Sequence, residues 1–150
     1  MFKKVLLLVV LLVSINTAAF AAAKVQQNTV GGIPITTIMT QEVQMVAEMF
    51  TGFDNLNYEQ FSKDFDTSLK SIFTPEVFKN AQKDTIDKLG AFGGMYILIW
   101  QADTSGVADT IMYRGIFAKD NDVLITVVLD RNNPAAIKIK KVSFESPLMK

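Results

Sequence analysis

From Met95 onward the chain runs in apolar stretches separated by short polar turns, and this pattern predicts an antiparallel sheet carrying most of the hydrophobic mass. Met95 to Ala102 reads as a first strand, and Thr104-Ser105-Gly106 turns it into a second over about Val107 to Ala118. Lys119-Asp120-Asn121-Asp122 makes a tight hairpin into Val123 to Leu129, since Asp and Asn tolerate left-handed backbone. Asp130 to Pro134 turns again, and Ala135, Ile137 and Ile139 then alternate with Lys138 and Lys140 in a last strand. Beyond Lys140-Lys141 the phase changes, because Val142 and Phe144 now hold the apolar positions. A one-residue slip in a period of two predicts a β-bulge there. The three earlier strands are apolar on both faces: Met95, Ile97 and Ile99 alternate with Tyr96, Leu98 and Trp100, and Val123, Ile125 and Val127 with Leu124 and Val128. A sheet with one wet face would alternate polar and apolar residues. Helices can cover only one side, so curvature or a second subunit must close the other, and a homodimer through the outer sheet face is expected.

Helical spacing precedes the sheet. Thr40 reads as an N-cap for a helix in which Val43, Val46, Ala47 and Phe50 share a face and Gly52 is the stop. Met45, Met49 and Phe53 form a second stripe, so wide an apolar sector that the helix is largely enclosed or lines a pocket. Phe61, Phe65 and Leu69 recur every four residues after a cap at Asn57, as one irregular helix or two short ones. Thr74-Pro75-Glu76 opens the clearest helix, with a cap, a proline at the first position and an acid in the first turn. It ends at Gly90, with Val77, Phe78, Ala81, Thr85 and Leu89 facing inward. Ahead of these, Ile35 to Met39 follows the turn Gly31-Gly32-Ile33-Pro34 and reads as a short edge strand.

The first residues read as an address. Phe2-Lys3-Lys4 is a positive start, Val5 to Val13 is unbroken apolar, and Ala19-Phe20-Ala21 fits a secretory cleavage site, with Ala21-Ala22-Ala23 as a second register. The expected organisation is a signal peptide over residues 1–21, with cleavage after Ala21 or Ala23, a polar segment over 22–39 and one domain over 40–150. The apolar run falls short of the roughly 20 residues that span a bilayer, so membrane contact is transient and the mature protein is secreted or periplasmic.

Composition narrows the chemistry. With 49% hydrophobic and 20% charged residues the chain buries a core. Fifteen basic residues balance fifteen acidic ones, and loss of Lys3 and Lys4 leaves a slight acidic excess, which disfavours nucleic acid as a partner. The sequence contains no Cys and no His. That excludes thiol and imidazole nucleophile pairs, thiolate or imidazole zinc sites and disulfides. Acids and bases are then limited to Asp, Glu, Lys and Tyr, and a metal would need hard oxygen ligands. Asp54-Asn55-Leu56-Asn57 and Asp120-Asn121-Asp122 have oxygen spacing faintly like a calcium loop but lack its glycine and distal glutamate. Gly90, Gly93 and Gly94 lack the Gly-Lys-Ser/Thr of a phosphate loop. No metal or cofactor is expected.

The order of helices followed by sheet resembles the nuclear transport factor 2-like, or cystatin-like, α+β fold. More narrowly, Asn57-Tyr58-Glu59-Gln60-Phe61, Phe65-Asp66, Leu69-Lys70, Phe73-Thr74-Pro75-Glu76 and Lys88-Leu89-Gly90 resemble the domain of unknown function 3887 family over about Thr40 to Phe144. These motifs are caps and core positions. They imply helices on a curved four-stranded, or five-stranded, antiparallel sheet shaped as a cone, in an exported or surface-associated prokaryotic domain, and they imply no activity. Such a cone can hold an apolar ligand, which makes Met49, Phe53, Tyr96, Trp100, Tyr113 and Arg114 the pocket candidates. Asp109 and Tyr113 share one strand face, while Arg114 points to the other. An Asp base beside a Tyr donor can remove a proton next to a carbonyl if burial tunes both. Asp109 lies near the turn after Ser105-Gly106, however, and is expected to be solvated. The leading expectation is a non-catalytic, dimeric module binding a small apolar or amphipathic ligand or a protein. A small acid–base enzyme of isomerase or dehydratase type and a purely structural dimerisation domain are the competing classes. A cavity of about 300 Å³ or more between helices and sheet separates them.

Overall fold

The structure, a computed structural model, describes residues 29–30, 33–102 and 107–150. The expected leader and the Thr104-Ser105-Gly106 turn lie outside the described residues. A two-residue ladder joins β1 (Thr29–Val30) to β2 (Ile33–Pro34), antiparallel.

Helix α1 spans Ile35–Asp54. It replaces the strand expected over Ile35 to Met39, and Thr40 lies inside it with its hydroxyl donating to the Thr36 carbonyl at 2.9 Å, not at its cap. The β-branched residues there favour a strand only weakly, whereas Ile38 falls in register with the buried Val46, Met49 and Phe53, and that burial decides the matter. Gly52 does not end the helix either. A Cβ at Gly52 would lie 2.4 Å from the Phe61 backbone nitrogen, so the glycine permits the next helix to cross α1 closely.

Helix α2 (Tyr58–Ser62) is capped by Asn57, whose side chain accepts from the Gln60 amide at 3.1 Å. Helix α3 (Thr67–Ile72) is capped by Asp66, accepting from the Leu69 amide at 2.7 Å. The Phe61–Leu69 repeat therefore belongs to two short helices. Helix α4 (Pro75–Leu89) has the predicted Thr74 cap, and Gly90 closes it with a φ of 82°. Its inward face is Phe78, Gln82, Thr85 and Leu89, spaced as one helical stripe, with Ala81 half-buried beside it. Val77 is about a quarter turn off that stripe and is 42% exposed, which corrects its expected inward position.

The sheet has four antiparallel strands in the order β3 (Phe92–Ala102), β4 (Ala108–Phe117), β5 (Val123–Asp130) and β6 (Lys138–Glu145). The ladder β1-β2 is separate from it. Strand β6 starts at Lys138 instead of Ala135, because Ala135 and Ala136 are held in the turn, where Asn133 accepts from both their amides. The bulge appears where the phase change placed it. Val128 pairs with Lys141 and Leu129 with Ile139, leaving Lys140 as the extra residue. Further irregularities leave Gly93 and Leu98 unpaired in the β3–β4 register. A 3-10 turn, Pro147–Met149, follows β6.

Inward residues of the sheet, among them Ile111, Tyr113, Val123, Ile125, Val127 and Leu129, meet Phe50, Phe53, Phe61 and Phe78 from the helices, all buried. Each such side chain removed from water stabilises the fold by about 1.5–3 kcal/mol. The chain 64–66 joins the sheet by a parallel bridge, with the Ile139 amide donating to Asp64 O at 2.8 Å and the Asp66 amide to Ile139 O at 2.9 Å. The fold is α+β with a four-stranded antiparallel sheet. Among the described residues no helix is long and apolar enough to cross a membrane.

Candidate functional site

Two interior places draw on the candidate residues, and they differ in chemistry. The first is polar. Glu42 sits on α1 one turn from Ile38 and one from Val46, so its carboxyl is carried into the core with them. On β4, Asp109 falls on the inward face with Ile111 and Tyr113 and pairs with Leu129. Arg131 follows β5 directly, and its amide donates to Val107 O at 2.7 Å, which sets its side chain beside the start of β4. Glu42 and Asp109 are 0% exposed and Arg131 is 2% exposed. The expected solvation of Asp109 is thereby corrected: strand register, not nearness to the turn, decides where it points.

Within this knot the Trp100 ring N–H donates to Glu42 Oε2 at 2.8 Å, and Arg131 Nη2 forms an ion pair with Asp109 Oδ1 at 3.1 Å. Counted as two ionised groups, Glu42 Oε1 and both Asp109 oxygens have no hydrogen-bond donor. A proton retained on Glu42 supplies a donor to one Asp109 oxygen, while Arg131 Nε and Nη1 also have no partner. Burial pushes the Glu42 carboxyl up to about 8, and its hydrogen bond with Asp109 acts in the same direction, while the Trp100 N–H pulls it back down. The negative charge of Asp109 raises it further and the charge of Arg131 lowers it. At neutral pH Glu42 therefore holds its proton beside the Asp109–Arg131 ion pair. Burial pushes the Tyr113 phenol up as well, helped by Glu42, so it stays protonated. Its hydroxyl has no hydrogen-bond partner.

The second place is apolar. A cavity of about 220 Å³ lies between α3, α4, β6 and the 3-10 turn, walled by Phe61, Phe65, Phe73 and Phe144, with Asp84, Thr85 and Ser143 supplying polar atoms. The aromatic rings brace one another: Phe61 lies 4.9 Å from Phe65 and 4.5 Å from Phe78 between centroids. The cavity is below the roughly 300 Å³ set as the mark of a ligand binder or enzyme, yet it is not filled, and it shares no lining residue with the knot.

The six pocket candidates are dispersed between these places and the sheet surface. Phe53 lines the cavity, and Met49 is buried in the core behind it. Trp100 and Tyr113 belong to the knot. Tyr96 and Arg114 face outward, joined by a 3.2 Å hydrogen bond to the tyrosine hydroxyl, and Arg114 Nε also pairs with Asp122 at 2.7 Å. Glu42 and Arg131 were not among the candidates. A glutamate spaced four residues from both Ile38 and Val46 was a signal for the first, whereas Arg131, in a turn, carried none. Among the described residues no group of three or more His, Cys, Asp or Glu side chains is placed to hold a metal ion. The two calcium-like sequences serve as cap and turn, with Asn57 capping α2 and Asp120 Oδ1 accepting from the Asp122 amide at 2.9 Å. No family model, no curated protein and no solved structure matches the chain.

Proposed function

We propose that the protein is an exported, non-catalytic module that binds a small apolar or amphipathic ligand in the aromatic cavity and pairs with a second copy through its sheet. The helices on the sheet are read as the nuclear transport factor 2-like cone, and the basic, apolar and small-residue leader as the export signal. The observation that carries the ligand reading is the open cavity walled by Phe61, Phe65, Phe73 and Phe144. An apolar cavity of about 150 Å³ is enough for benzene, so this one suits a substituted ring or a short alkyl chain, with its polar end toward Asp84 and Ser143. The acid–base alternative finds less support, because Glu42 and Asp109 are sealed from any substrate.

Native mass spectrometry of the protein purified from its own host, with Ala81→Leu beside it, tests this reading. Ala81 lines the cavity, and a leucine there fills part of it. A small bound mass in the natural protein, lost in Ala81→Leu, and a rise in melting temperature with toluene in the natural protein alone are expected. No bound mass together with no response to toluene in either protein would overturn it.

A further inference from the structure

The sheet is open, so it has two edges, and they are built differently. Along β6 stand Lys138, Lys140 and Lys141, Lys140 is the bulged residue, and the chain 64–66 already bonds to Ile139 on that side. Charge, bulge and covering chain are the usual defences against a further strand. The opposite edge has fewer. Strand β3 runs for 11 residues, Phe92 to Ala102, without one charged residue or proline. Tyr96, Ile97, Leu98 and Ile99 are 47%, 43%, 41% and 50% exposed, and among the described residues no strand pairs with this edge.

We propose that two copies of this chain join at the β3 edge, strand to strand and antiparallel, about a two-fold axis near Leu98. The proposal rests on the self-association suggested above and moves it from the face of the sheet to its edge. Exposure on both faces is the reason. Ile97 pairs with the buried Tyr113 and so points inward, while Tyr96 pairs with Arg114 and Ile99 with Met112 on the outer side. A body lying on the outer face would cover Tyr96 and Ile99 and leave Ile97 wet. A strand continuing the sheet flanks all of them.

Electrostatics selects the second copy as the occupant. In a two-fold pair each residue of the patch meets the same patch, so an uncharged strand opposes no like charges, whereas β6 against itself would set lysine against lysine. The nearest charge, Arg114, is already paired with Asp122 and bonded to Tyr96, and asks for no opposite charge on a partner. The extra residue Leu98 kinks β3 locally, which limits the shared ladder to a few residues and leaves much of the contact to the four side chains.

The natural chain has no cysteine, so single cysteines report the geometry cleanly. Antiparallel neighbours stand about 4.5–5.5 Å apart at Cα, within disulfide range. Under mild oxidation Leu98→Cys is expected to form a covalent dimer, whereas Thr126→Cys on the outer face and Lys140→Cys on the other edge are not. Leu98→Lys sets like charges across the axis and is expected to weaken the dimer at least about tenfold, read by light scattering, with the circular dichroism spectrum unchanged. A dimer that survives Leu98→Lys and crosslinks through Thr126→Cys would overturn the edge placement while leaving self-association intact. A protein monomeric at every concentration, with no crosslink at Leu98→Cys, would overturn both.

Discussion

The knot under α1 and the cavity under α3 and α4 sit in one core, yet they solve opposite problems. At the knot, three ionisable groups are taken out of water and must satisfy one another, with a retained proton, an ion pair and an indole N–H as the means. Around the cavity nothing ionisable is buried, and phenyl rings leave a gap that packing alone does not close. The one is a sealed polar cluster, the other an open apolar gap. A cluster sealed from solvent offers a ligand no way in, while an open gap among rigid rings leaves room for one.

The largest effect is expected from removing one charge of the knot. Arg131→Met leaves Asp109 buried without its cation, and a loss of about 3–5 kcal/mol is expected by urea denaturation. A loss comparable to that of a surface substitution would mean that water reaches the knot and that its sealing is not real.

A pH series sharpens the contrast further. The Glu42 carboxyl rises on folding from 4.5 to about 8, so the folded state holds a proton that the unfolded chain has released within that window. Its contribution is fully present below about pH 4.5, falls as pH rises by at most about 1.4 kcal/mol per unit, and is lost above about pH 8. Glu42→Gln keeps the shape and the donor but cannot ionise. Its unfolding free energy should lack this slope and exceed that of the natural protein at pH 8. A natural protein whose stability is level between pH 5 and pH 8 would count against the shared proton.

The smallest effect is expected at Tyr113. Its buried hydroxyl is without a partner, so Tyr113→Phe removes an unmet group and should be neutral or stabilising by up to about 1–3 kcal/mol, measured by thermal unfolding. Destabilisation would show that the hydroxyl is bonded in solution, and would return the knot to consideration as a working acid–base site.

Much of this molecule is written in its sequence. The caps Asn57 and Thr74, the terminator Gly90 and the bulge at Lys140 follow from local chemistry and from a period of two, which need no knowledge of distant chain. The same holds for the α+β class and for the uncharged character of β3. Where partners distant in sequence compete with local preference, the pattern misleads. Ile35 to Met39 becomes helix because Ile38 gains more from the core than its backbone loses, and Gly52 yields its role as a stop to a crossing with α2. Only the tertiary structure assembled the knot. Glu42, Trp100, Asp109 and Arg131 come from a helix, two strands and a turn, and no spacing along the chain encodes their meeting. What brings them together is the register of β4 on β5 and the seating of α1 on the sheet, both set by apolar packing. The charges are carried inside with that packing and must then neutralise one another, because the interior offers them no water.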